Sequence, residues 1–122
     1  MSRENIIVVT GGSGRFAQSL KKTKSKYKFI YPSKNLLNIT NLNSIKKFLK
    51  KVRPKSVLHL AGLSRPMIAH DKYIAKSINL NIVGTANLVN ICSQLKIKFI
   101  YFSTNYVYPG KKGDYKEYDP VL

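Results

Sequence analysis

One segment near the start of the chain has the composition and spacing of a loop that binds a dinucleotide. Gly12, Gly14 and Ala17 fit the fingerprint Gly-x-Gly-x-x-Gly/Ala, and the apolar residues 6–9 precede them. The early glycines allow a tight turn and a close approach of backbone to a pyrophosphate, and the small third residue lets a helix pack on the strand. We predict that the cofactor contacts of this loop come from Gly11, Gly12, Ser13, Gly14, Arg15 and Phe16.

The residues after this loop bear on the choice between NAD and NADP. Proteins of this kind that bind NAD hold the adenosine ribose with an Asp or Glu roughly 20 residues further on. Here no acidic residue lies between Glu4 and Asp71. Ser33 and Lys34 stand in that region instead, and a hydroxyl with an ammonium suits a 2′-phosphate, which Arg15 could also reach. The sequence therefore predicts NADP in preference to NAD.

Elements that can position these residues alternate along the chain. Short apolar or β-branched runs predict strands at 5–10, 27–31, 56–60 and 97–103, and helical patterns cover 14–22, 42–52 and 71–95. Thr40 or Asn41 can cap the second helix, whose lysines fall opposite its apolar face. This alternation predicts an α/β fold, a three-layer domain of the Rossmann type with a parallel sheet in the order 3-2-1-4. We expect residues 1–122 to form one NAD(P)-binding domain.

The charge of the chain is its least usual compositional feature. It has 22 Lys and Arg against 5 Asp and Glu, a formal net charge of +17. Such a field attracts polyanions, so nucleic acid is a second candidate partner. No run of about 20 apolar residues predicts a membrane span, and we expect a cytoplasmic protein. Cys92 has no partner for a disulfide, and His59 and His70 have no carboxylate at metal-ligand spacing, so we propose no metal site.

Five blocks of sequence together resemble one family. They are Thr10-Gly11-x-x-Gly14-x-x-Ala17, Leu37-Asn38-Ile39-Thr40, Val57-Leu58-His59-Leu60-Ala61-Gly62, Asn81 to Leu88, and Ser103-Thr104-Asn105-Tyr106-Val107-Tyr108. In this order and spacing they resemble the N-terminal part of extended short-chain dehydrogenases/reductases that act on sugar nucleotides, the dTDP-4-dehydrorhamnose reductase and NAD-dependent epimerase/dehydratase family. The resemblance implies further cofactor contacts at Asn38, Ile39, Ala61, Gly62 and Asn81.

The resemblance also implies a reaction, hydride transfer between nicotinamide and a carbon of a nucleotide sugar. Thr104 falls on the family's Ser/Thr that orients the substrate oxygen, although a strand-end hydroxyl can equally serve a local backbone bond. Asn105 replaces the family's Asp. The proton comes from a Tyr four residues before a Lys on one helix, and the chain ends at Leu122 before a matching segment. Tyr108 and Lys112 have that spacing, but Pro109 and Gly110 between them exclude a helix.

Three functions remain open from the sequence. The first is a truncated homologue of a sugar-nucleotide reductase or epimerase that binds NADP(H), whose catalysis requires completion by a partner chain. The second is a non-enzymatic basic protein on a Rossmann scaffold that binds nucleic acid or another polyanion. The third is a fragment of a full-length reductase. We also expect a homo-oligomer, because the helical region 71–95 carries a wide apolar face that only a second copy or a folded-back tail 109–122 would cover.

Overall fold

A computed structural model describes residues 5–64 and 66–121 of the chain. The strands are β1 (Ile6–Thr10), β2 (Lys28–Ile30), β3 (Ser56–His59) and β4 (Lys98–Tyr101). The helices are α1 (Arg15–Leu20), α2 (Leu42–Val52), α3 (Ile68–Lys72), α4 (Ile74–Ile78) and α5 (Gly84–Gln94). A π-helical turn, Asn79–Val83, joins α4 to α5, and a 3₁₀ turn, Asn105–Val107, follows β4.

The helical region expected over 71–95 is present, but it is interrupted twice. Tyr73 leaves helical geometry, with φ −129° and ψ 57°, and separates α3 from α4. The π turn then accommodates an extra residue before α5 begins. Apolar residues every three or four positions predict a helical face but carry no signal for such interruptions.

The four strands form one parallel sheet in the order β2-β1-β3-β4. The parallel sheet and the α/β class are confirmed, but the strand order 3-2-1-4 is wrong. The strand predicted as the third, residues 56–60, pairs with β1 and not with β2, and residues 31–41 add no strand outside β2. The crossover through α2 instead carries the chain past β1, so that β3 pairs with the side of β1 away from β2.

One face of the sheet packs against α2 and α5. Val8 and Val57 lie in a buried cluster with Ile45 and Leu49 of α2 and, from α5, Leu88, Ile91 and Cys92. Asn41 caps α2, since its Oδ1 accepts from the Ser44 amide at 2.9 Å. Pro54 and the left-handed Arg53 (φ 47°) end the helix, and its lysines face outward, as the sequence predicted.

The other face of the sheet belongs to the layer that contains α1. Val9 and Ala17 are fully buried, yet neither is part of the cluster around Val8. Successive residues of a strand point to opposite sides, so Val8 and Val9 serve different layers. This explains why residues 6–9 are continuously apolar.

A continuous apolar stripe on α4, the π turn and α5 stays exposed. Ile74, Ile78, Ile82 and Val89 have between 44% and 63% of their surface accessible, so the tail does not cover them. That tail folds on itself, because the rings of Tyr108 and Tyr115 stack at 4.8 Å. In the described part of the chain, no helix has the length and hydropathy needed to cross a membrane.

Candidate functional site

The carboxyl ends of β1, β2 and β3 open into a cleft of about 530 Å³. Ligands of open parallel sheets bind at this edge, where adjacent connections leave in opposite directions. The cleft is lined by Thr10, Gly11, Gly12, Ser13, Gln18, Lys21, Tyr31, Pro32, Ser33, Lys34, Leu37, Asn38, Ile39, Ala61, Gly62 and Leu80. The structure thus brings together nine of the fourteen residues named from the sequence as cofactor or catalytic contacts.

The glycine loop forms the floor of this cleft. Gly11 has φ +72°, and the Gly14 amide donates to the Gly11 carbonyl at 2.9 Å, which closes a tight turn into α1. A Cβ on Gly11 would lie 2.6 Å from the Ala61 nitrogen, so only glycine fits there. The loop therefore rests directly on the backbone that follows β3.

A buried chain of hydrogen bonds fixes this backbone from below. The Oγ1 of Thr10 accepts from the amides of Leu60 and Ala61, both at 3.2 Å, and lies 2.7 Å from Nδ1 of His59. Because Thr10 Oγ1 already accepts twice, its own hydrogen goes to Nδ1, and Nε2 of His59 donates to Thr85 Oγ1 at 3.0 Å. Thr85 in turn donates to the Asn81 carbonyl at 2.8 Å.

His59 belongs to this chain as a neutral ring. It is 1% exposed, and burial lowers its pKa to about 4. Protonation would place a second donor on Nδ1 against the Thr10 hydroxyl, so the hydrogen-bond chain depends on the neutral form. His59 is thereby a structural group that joins β1, β3 and α5.

Asn81 anchors the far end of the cleft from the π turn. Its Oδ1 accepts from the Leu63 amide at 2.7 Å, and its Nδ2 donates to the Leu63 carbonyl at 2.8 Å. Gly62 passes close beneath it, since a Cβ there would lie 3.0 Å from Asn81 Oδ1. Asn81 does not line the cleft itself, and it holds the loop whose Ala61 and Gly62 do.

The wall opposite the glycine loop is held by α5. Asn87 donates from Nδ2 to the Ile39 carbonyl at 3.0 Å, and Gly84 lets the Ile39 side chain approach to within 2.7 Å of a Cβ position. Asn38 turns its Oδ1 to the Thr40 amide and hydroxyl. The side chains on either side of Asn38, Leu37 and Ile39, are both buried and form an apolar wall of the cleft.

The edge of the cleft next to α1 and the segment after β2 is lined in part by other residues than the sequence predicted. Ser33 and Lys34 line the cleft, whereas Arg15 is exposed on the first turn of α1 and lies outside the lining, and so does Gly14. Phe16 also points away and packs on Phe102, with ring centroids 4.9 Å apart. Lys21, which the sequence reading missed, takes the place expected for Arg15. No motif in the sequence marks this lysine, which follows the last residue of α1.

A second, open hollow adjoins the cleft at Gly62. It is lined by Leu60, Gly62, Leu63, Ser64, Pro66, Met67, Asn81, Tyr101, Phe102, Ser103, Thr104, Asn105 and Tyr106. Thr104 is exposed there, and its Oγ1 accepts from the Tyr106 amide at 3.2 Å, which is the local bond expected as the alternative to a substrate contact. Tyr108 and Lys112 share no helix, and their side chains bond the Lys116 carbonyl and Asp119 respectively.

Comparisons with known proteins agree with this architecture. Residues 5–122 match the protein family described as the RmlD substrate binding domain. The chain is 24% identical over 119 residues to methionine adenosyltransferase 2 subunit beta from Xenopus laevis, which covers 90% of this chain and 35% of that protein.

Solved structures of related proteins share this fold. A dTDP-4-dehydrorhamnose reductase from Bacillus anthracis in complex with NADP superposes with a TM-score of 0.81 at 23% identity, over 93% of this chain and 41% of the reductase. Its counterpart from Clostridium acetobutylicum gives a TM-score of 0.79 at 25% identity, over 96% and 42%. The chain thus spans less than half the length of these relatives. Because the family match covers almost all of the chain, the resemblance drawn from sequence is confirmed, and the chain belongs to the RmlD substrate binding domain family.

Proposed function

We propose that the chain binds NADP(H) in the cleft, as the cofactor-binding part of a sugar-nucleotide reductase. The observation that carries the proposal is the lining itself. A glycine turn faces two lysines, Lys21 and Lys34, and no carboxylate occurs among the described residues that line the cleft. A related reductase of the same fold has been solved with NADP, which supports this choice of ligand.

Each part of the cofactor has a matching surface. The backbone of Gly12 and Ser13 suits the pyrophosphate, because glycine allows phosphate oxygens to approach main-chain amides. Leu37 and Ile39 offer an apolar wall to the adenine. Ser33, with Lys34 beside it, suits the phosphorylated ribose. The nicotinamide would then extend past Gly62 toward the second hollow.

The residues of this chain contribute binding and orientation. NADPH, when bound, supplies the hydride for reduction of a sugar carbonyl. Thr104, which lines this second hollow, offers a hydroxyl that could orient the carbonyl oxygen. Tyr108 and Lys112 cannot act as a proton-donating pair, since each is engaged in the folded tail. We propose that residues beyond these 122, or a partner chain, supply the proton and most of the contacts to the nucleotide sugar.

Calorimetric titration with NADPH and NADH tests the proposal. We expect NADPH to bind more tightly, and Lys34→Glu to reduce the preference by about tenfold, since a charge-assisted hydrogen bond is lost. Lys47→Glu, on the exposed face of α2, makes the same change of net charge and should leave the preference unaltered. Absence of binding by either cofactor would refute the proposed function, and equal affinities would refute the choice of NADP.

A further inference from the structure

We propose that Lys21, together with the hydroxyl of Tyr31, selects for the 2′-phosphate of the cofactor. This inference rests on the proposed function and adds two groups to Ser33 and Lys34 as determinants of its cofactor specificity. Neither residue was expected from the sequence, and neither belongs to the glycine fingerprint. The geometry of three neighbouring groups leads to it: the Gly12 carbonyl, the Lys21 ammonium and the Tyr31 ring.

Lys21 already lies inside the cleft. It extends from the end of α1, and its Nζ donates to the Gly12 carbonyl at 2.8 Å. The same Nζ sits 4.8 Å from the centroid of the Tyr31 ring, in a cation–π contact. An ammonium has three hydrogens, so these two contacts leave donor capacity for a ligand.

The Gly12 carbonyl does not depend on Lys21. Gln18 donates to the same oxygen from Nε2 at 2.9 Å. If Lys21 turns toward an anion, the carbonyl keeps Gln18 as its partner. The lysine can therefore move from its resting contact to a ligand at little cost to the loop.

Tyr31 provides the second, independent observation. Its hydroxyl is inaccessible to solvent and has no hydrogen-bond partner within the described structure. Loss of hydration also raises the pKa of this phenol. A buried hydroxyl without a partner is unfavourable, so a small turn of the ring that brings it to an acceptor atom of the ligand would satisfy this donor.

The position of Tyr31 indicates which ligand atom this is. It follows β2 directly, and in proteins that bind NAD the end of this strand carries the acidic residue that holds the ribose hydroxyls. Here the same place offers two hydrogen-bond donors, a phenol and an ammonium. Both would bind a phosphate, whereas the ribose hydroxyls of NAD need a carboxylate as acceptor. Ser33 and Lys34 continue this edge.

Adenosine 2′,5′-bisphosphate and adenosine 5′-monophosphate isolate this contact from the nicotinamide half. We expect Lys21→Gln, which keeps a donor for Gly12, to weaken binding of the bisphosphate about tenfold. Binding of the monophosphate should change by less than about twofold. Lys22→Gln removes the next lysine, which is exposed and outside the cleft, and should change neither affinity. Tyr31→Phe should weaken binding of the bisphosphate selectively by a smaller factor, about threefold.

Circular dichroism melts of each variant show whether it is folded before titration. If Lys21→Gln does not fold, Lys21→Arg takes its place and should retain the preference for the bisphosphate. An unchanged preference in Lys21→Gln, with the wild-type chain still favouring the bisphosphate, would overturn this inference and leave the proposed function intact. A wild-type chain that binds neither nucleotide nor cofactor would overturn the proposed function itself.

Discussion

Replacing His59 by Gln tests whether the buried hydrogen-bond chain depends on a neutral imidazole. Glutamine can accept from Thr10 through its carbonyl and donate to Thr85 through its amide, but it does not titrate. The variant thus keeps much of the bonding and removes only the coupling to pH. We expect a modest loss of stability at pH 7, where the wild-type ring is neutral in the folded and largely neutral in the unfolded chain.

The magnitude follows from the pKa of His59. Folding lowers this pKa from 6.5 to about 4, so the unfolded chain takes up the proton first as pH falls. Stability is therefore fully present above pH 6.5 and is lost progressively as pH falls toward the folded pKa. Between pH 7 and pH 4.5 the loss due to His59 amounts to about 2 kcal/mol, at about 1.4 kcal/mol per unit of pKa.

Urea denaturation followed by circular dichroism, at pH 7, 5.5 and 4.5, measures the effect. The other titrating groups are common to both proteins, so the difference between wild type and His59→Gln isolates the histidine. We expect the advantage of the wild type to shrink by about 2 kcal/mol across this range, a large part of the stability of a domain of this size. Parallel loss of stability in the two proteins would refute the buried neutral histidine.

Three further outcomes are expected. Gly11→Ala should cost more than about 3 kcal/mol in thermal or urea unfolding, because it combines positive φ with a backbone clash, whereas Gly113→Ala should be nearly neutral. The chain should self-associate through the exposed stripe, so light scattering should give a dimer or larger species for the wild type and a monomer for Ile82→Asn. The 122-residue chain alone should reduce dTDP-4-keto-6-deoxy sugars at well below about 1 per second.

Each of these three predictions has a control variant or a result that would contradict it. Equal losses in the two glycine variants would remove the argument for close packing on β3. Leu36→Asn changes an equally exposed apolar residue outside the stripe and should leave the mass unchanged. If light scattering gives the mass of a monomer for the wild type at every protein and salt concentration, the exposed stripe is not an interface between copies of the chain. Reductase turnover abolished by Thr104→Val would mean that a proton donor exists within these residues.

The class of fold was predictable because local patterns determine it. Residues 6–9 are continuously apolar and β-branched, which is typical of a strand covered on both faces. Of the two capping residues that the sequence offered, Thr40 and Asn41, the structure shows Asn41 as the cap of α2. The strand order was not predictable in this way, because it depends on the route of residues 31–41 over the sheet. These residues fold without regular structure, and their pattern does not say on which side of β1 the next strand will pair.

The candidate site was only partly predictable for a similar reason. The glycine turn is encoded locally, so Gly11, Gly12 and Ser13 lie in the cleft as expected. Lys21 and Tyr31 meet through the packing of α1 against the end of β2, which no spacing in the sequence specifies. The position of Arg15 within the motif predicts a contact with the cofactor, but this residue lies on the first turn of α1, outside the lining of the cleft. The predicted affinity for nucleic acid stays a prediction.

The contact between Gly11 and the backbone at Leu60 and Ala61 has a consequence for engineering the protein. It leaves no room for a side chain between the loop and the backbone after β3, so Gly11 cannot be replaced without a shift of that backbone. The charged rim at Lys21 and Lys34 stands on exposed positions whose side chains contribute little to the core. Redesign of nucleotide preference can therefore proceed at the rim, by exchange of charge alone, without a compensating change in the rest of the fold.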